Sequence, residues 1–147
     1  MPSRIALGRV ATAVGAFLIV AQVFRPARVN PPGGNEVPAP SEVRTILRGA
    51  CYDCHSNETI WPWYSQVAPV SWLVAYDVRE GREELNFSEW GGAPPAKRQK
   101  KLKETIETVN QGEMPPWYYV LMHPDARLAD ADRTALVRWA EASRGGM

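Results

Sequence analysis

The feature that most constrains this chain is the pentapeptide Cys51-Tyr52-Asp53-Cys54-His55. Two cysteines separated by two residues and followed at once by histidine form the attachment pattern for c-type haem. Each thiol can add across one vinyl group of the porphyrin to give a thioether, and the two-residue gap lets both sulfurs reach one edge of the ring. His55 then lies under the iron and can supply a proximal imidazole nitrogen. The sequence holds 2 cysteines and both are in this motif, which predicts covalently attached haem c, one per chain. The same residues fit two other chemistries less well. One is a Cys51–Cys54 disulfide or thioredoxin-like redox pair. The other is zinc, for which Cys51, Cys54 and His55 cannot easily wrap one tetrahedral ion, and no second cysteine pair exists.

A second informative feature follows about 60 residues later, Gly112-Glu113-Met114-Pro115-Pro116-Trp117. A thioether sulfur is a soft ligand that pairs with histidine in cytochromes c and raises the reduction potential. Met114, in a loop stiffened by prolines, is therefore the expected second iron ligand, with His55 as the first. His123 is its rival, while Met122 lies in an apolar stretch and reads as core. Met1 and Met147 are terminal and unsuited. The aromatic residues Trp61, Trp63 and Trp117 are expected to wall the haem and keep it dry.

At 147 residues the chain suits one domain with an appendage. Residues 1–25 read as a membrane anchor or signal segment. Arg4 and Arg9 make a basic start, and Val10 to Phe24 is uncharged and mostly apolar. The run into Gln22-Val23-Phe24-Arg25-Pro26 offers no small-residue cleavage site, which favours an uncleaved anchor over a cleaved secretory signal. Residues 26–40 hold five prolines and two glycines in PARVNPPGGNEVPAP and read as a partly extended tether. Residues 41–147 form the domain proper. Removing Arg4, Arg9, Arg25 and Arg28 from the 17 basic residues leaves 13 against 16 acidic ones, so the domain has no nucleic-acid footprint. Lys97, Arg98, Lys100, Lys101 and Lys103 make a local basic run, either a docking patch for an acidic redox partner or a solvated helix face.

Apolar periodicity predicts four helices in the domain. One starts at Ser41 and runs into Cys51, with Val43, Ile46, Leu47 and Ala50 on one face. A second reaches from about Pro69 to Glu84. A third starts at Pro94-Pro95 and ends before Gly112, with Leu102, Ile106 and Val109 aligned. The last runs from Asp130 to about Ser143 with Leu136, Val137, Trp139 and Ala140 inward. The fold class is mostly α.

In this order of elements the chain resembles class I cytochrome c domains. More closely, it is similar to the bacterial haem-binding domain family over about residues 41–142. The likeness is carried by CYDCHSNETIWPWYSQVAPVSWLVAYDVREGREELNFSEW, GEMPPWYYVLMHPDARLADADR and LVRWAE. The resemblance implies a cytochrome c-like helical domain around covalent haem, with Cys51 and Cys54 as thioether sites and His55 as proximal ligand. It also implies that the first and last helices cross beside the haem, setting Gly49 and Ala50 against Leu136, Trp139 or Ala140.

The function expected is electron transfer, not enzyme catalysis. The site is the outer, periplasmic face of the bacterial inner membrane, and the partner is a redox protein. A haem sensor or peroxidase-like enzyme with a displaceable sixth ligand is the alternative.

Overall fold

The computed structural model describes residues 4–145. Seven α-helices and three short 3-10 turns make up the fold, and there is no strand among the described residues. The mostly helical expectation therefore holds. The N-terminal helix α1 is Arg4–Ala21. Among the described residues, no helix is long and apolar enough to cross a membrane.

The first helix of the domain, α2 (Ser41–Ala50), buries Val43, Leu47 and Ala50 on one face. It stops where Cys51 turns to φ −127°. A single helical turn, α3 (Tyr52–His55), follows. The amides of Cys54 and His55 both bond the carbonyl of Cys51, at 3.2 and 2.9 Å. Next come a turn at Trp63–Gln66 and α4 (Val70–Glu84). Helix α5 (Pro95–Gln111) ends at Gly112, whose φ of +72° is left-handed and suits glycine at a helix stop. Helix α7 (Asp130–Gly145) closes the chain.

The core joins the inner faces of α2, α5 and α7: Leu47, Leu102, Val109, Leu136 and Ala140 belong to one buried cluster. Ala50 lies in that cluster with Leu136, Trp139 and Ala140, but Gly49 does not serve the crossing. A Cβ placed on Gly49 would meet nothing within 4 Å. Between α5 and α7 the sequence suggested only an apolar run. It forms a short helix α6 (Trp117–Met122) with no buried residue. Met122 is exposed and is not core, because the inward side of this six-residue helix is taken by Tyr119, which packs on the core cluster.

Residues 26–40 are extended, as their composition predicts, but they form a strap and not a free tether. Val37 is buried in the core cluster, and its amide bonds the Phe87 carbonyl at 2.9 Å. Gly34 and Asn35 donate to the Ser88 carbonyl, and the Trp139 indole donates to Pro38. Arg82 of α4 donates to the Val29 carbonyl and Asn30 Oδ1, at 2.8 and 2.9 Å. Prolines remove donors from this stretch, yet its carbonyls remain strong acceptors that the domain satisfies.

Candidate haem site

The break after α2 and the single turn of α3 place Cys51, Cys54 and His55 on the wall of one cavity of about 440 Å³. Such a volume lies within the roughly 300–1,000 Å³ of small-molecule and cofactor sites. Met114 lines the same cavity. Residues 59 positions apart in the sequence thus line one cavity.

His55 is held from behind. Its Nδ1 lies 2.8 Å from the Gly81 carbonyl and 3.1 Å from the Leu85 carbonyl. Carbonyls only accept, so Nδ1 carries the proton and Nε2 keeps its lone pair. Burial lowers the imidazole pKa below its ordinary value, against the pull of those two carbonyls. The ring is therefore neutral, in one tautomer and one orientation, which is the state a metal-ligating histidine needs. Phe87 adds an edge contact to the ring at 6.4 Å between centroids.

Gly81 makes this possible twice over. Besides accepting from His55, it packs against the motif so tightly that an added Cβ would lie 2.5 Å from the Cys54 carbonyl oxygen. The helix α4 can approach the motif only with glycine there. Reading the sequence for ligands misses this residue. The available signal is a glycine inside an otherwise regular helix, which costs stability and so implies a packing reason.

The two cysteines are not joined. Burial, first of all, pushes both thiols up to about 12, Cys54 with help from Asp77 and Asp53. A thioredoxin-like pair needs a depressed thiol pKa, so the site argues against that chemistry. No cluster of three or more His, Cys, Asp or Glu suited to a metal ion exists among the described residues, which argues against zinc.

Met114 lines the cavity from the loop that follows α5. Gly112 ends α5, and the amides of Glu113 and Met114 both return to the Thr108 carbonyl, at 2.9 and 3.3 Å. That return aims the loop back over the cavity. Met114 is 38% exposed. Further lining residues went unread in the sequence, including Asp77, Lys101, Thr108 and Tyr118. Asp77 lies beside Tyr118, and burial pushes its carboxyl pKa up. Lys101 is fixed at the rim by Glu84 and Glu104, at 2.7 and 2.8 Å.

The motif's middle residues brace it. Tyr52 stacks on Phe87 at 5.5 Å and donates to Glu36 of the strap at 2.9 Å. Asp53 accepts from the Ile60 amide and from the Tyr119 hydroxyl, each at 2.8 Å. Tyr119 thereby ties α6 to the motif.

Other candidates lie elsewhere. Trp61, Trp63 and Trp117 do not line the cavity. Trp61 donates to Asn30 of the strap, and Trp63 and Trp117 are 73% and 77% exposed. The aromatic walls are instead Phe87, Tyr118 and Tyr119. His123 is also outside. It stacks on Tyr119 at 4.2 Å, its Nδ1 lies 3.2 Å from the Tyr119 carbonyl, and its Nε2 lies 3.3 Å from the Tyr64 hydroxyl. The basic run of α5 is largely neutralised on its own helix. Lys100 and Lys101 pair with Glu104, and Lys103 pairs with Glu107.

A cavity with a neutral, lone-pair-bearing histidine on one wall, a thioether on another and two protonated thiols beside the histidine suits a haem. Comparison with curated proteins and with solved structures gave no match. The family model described as "Haem-binding domain" matches residues 16–142. The chain belongs to the haem-binding domain family, and haem is its cofactor.

Proposed function

We propose that this protein is a c-type monohaem electron carrier held at the outer face of the bacterial inner membrane by its N-terminal segment. The observation that carries the reading is the convergence of Cys51, Cys54, His55 and Met114 on one cavity. Bound there, haem supplies a one-electron couple. The thiols of Cys51 and Cys54 hold its edge as thioethers. His55 offers Nε2 because Nδ1 is committed to the Gly81 and Leu85 carbonyls. Met114 offers a soft sulfur that favours the reduced state. Phe87, buried against the His55 ring, would keep water from that side of the imidazole. No group in the cavity is assigned a catalytic step, and the partner is a second redox protein.

The N-terminal placement rests on α1, whose Val10, Phe17, Ile19 and Val20 side chains are exposed and need an apolar medium. Its 18 residues extend about 27 Å at 1.5 Å per residue, short of the roughly 30 Å hydrocarbon core, so the reading is of a helix embedded in the bilayer and not of a full crossing. Insertion in the bilayer is favoured over cleavage as a signal.

A second reading, a sensor or peroxidase-like enzyme, draws on the exposure of Met114. A half-exposed ligand on a loop is displaceable. Asp77, whose carboxyl pKa is pushed up by burial in the same cavity, would then be a candidate acid–base group, His123 being outside it.

The test is the optical spectrum of the exported protein, oxidised, reduced and as the denatured pyridine adduct. Covalent haem with a weak far-red sulfur-to-iron band is the expected result. Covalent haem in a high-spin state would favour the second reading, and haem lost on denaturation would overturn covalent attachment.

A further inference from the structure

Large apolar side chains are exposed on three elements: Trp63 and Val67 around the first turn, Leu73 and Tyr76 on α4, and Trp117 and Leu121 on α6. These elements adjoin one another. The turn leads directly into α4, and Tyr64 is paired with His123 at the end of α6. Asp77 on α4 and Tyr118 on α6 line the same cavity. The apolar residues therefore belong to neighbouring surfaces, and Met114 and Tyr118, both exposed, border them from the cavity side.

The end of α1 is fastened to this region. Gln22 exchanges two hydrogen bonds with Ala68, its Nε2 donating to the carbonyl at 3.0 Å and its Oε1 accepting from the amide at 3.1 Å. Arg25 donates to the Gln66 carbonyl at 3.1 Å. The Trp72 indole donates to the Phe24 carbonyl at 2.8 Å. Ala21 is buried at the junction, whereas Phe17, Ile19, Val20, Val23 and Phe24 are exposed. The apolar helix and the aromatic surface are thus continuous and joined by four hydrogen bonds, so one medium must cover both.

We propose that the aromatic surface formed by the Trp63–Gln66 turn, α4 and α6 lies flat on the lipid bilayer that receives α1. This rests on the reading that α1 inserts in a membrane, and it adds a fixed orientation to it. Lipid fits better than a protein partner because the residue types match the interfacial zone. Tryptophan and tyrosine combine an apolar body with a polar tip and concentrate at that depth. Arg25, at the junction, sits where phosphate headgroups would lie.

The experiment uses the full haem-loaded chain with vesicles of phosphatidylethanolamine and phosphatidylglycerol. Flotation reads binding, and amide hydrogen exchange reads which segments are covered. The expected result is flotation together with several-fold slower exchange in residues 63–67 and 117–122, and no change in α5. Flotation without that protection would overturn the proposal and leave the anchor reading standing, whereas no flotation would overturn both. Protection that grows with protein concentration in the absence of lipid would mean that a second copy covers the surface, and would also overturn it. Replacing Trp63, Trp117 and Leu121 together by serine removes only exposed groups, so the fold should persist. With α1 intact, vesicle affinity should fall about tenfold; an unchanged affinity would count against the proposal.

Discussion

The two walls of the cavity are built by opposite means. On the His55 side, the ring is pinned by two backbone carbonyls, and its helix partner is pressed against the motif at Gly81. On the Met114 side, the sulfur hangs from a loop tied to Thr108 by backbone amides and is 38% exposed. The contrast separates two jobs. Rigid placement fixes one tautomer and one orientation of the His55 ring, and under the proposed function the looser wall is where a potential can be tuned or a ligand exchanged.

Breaking the rigid wall should have the largest effect. In Gly81→Val, a Cβ 2.5 Å from the Cys54 carbonyl oxygen forces α4 away from the motif. Overpacking against backbone costs about 3 kcal/mol or more. Urea unfolding should show that loss, with reduced haem incorporation. Near-normal stability would mean that the two walls are equally compliant.

Breaking the looser wall should leave the fold nearly intact while changing the iron. Met114→Ala removes a partly exposed side chain, so the stability cost should be about 1 kcal/mol, below the range for fully buried methionine. The reduction potential should fall, and carbon monoxide should bind. An unchanged spectrum and potential would remove Met114 from the ligand set.

The smallest effect sharpens the comparison through pH. In the haem-free chain, burial sets the His55 pKa below its unfolded value of 6.5. As pH falls, the unfolded chain takes up that proton first. The stability is thus complete above about pH 6.5 and is lost as pH falls toward the folded pKa. The difference in urea midpoint between the wild type and His55→Gln should follow that window. Met114 carries no titrating group, so Met114→Ala should keep the wild-type slope.

Much of this architecture was legible in the residues themselves. The four domain helices follow from apolar spacing and from proline and glycine at their ends. The Cys51–His55 motif and Met114 announce themselves by chemistry. What stayed hidden was non-local. Gly81 matters because of Cys54, 27 residues earlier, and no local pattern records that approach. The strap looked free because proline counts measure lost donors and not the acceptors that Arg82 and Trp139 use. Trp63 and Trp117 looked like haem walls because aromaticity signals burial in general, and it is silent about which surface a ring faces.

Arg82 gives the fold a mechanical property. It is the residue after Gly81, and besides the strap it grips the Ser56 carbonyl just beyond the haem motif, at 2.8 Å. One side chain therefore ties the strap to the end of the Cys51–His55 motif and to the helix whose Gly81 carbonyl meets His55. Strap, motif and α4 are held by one guanidinium and move together.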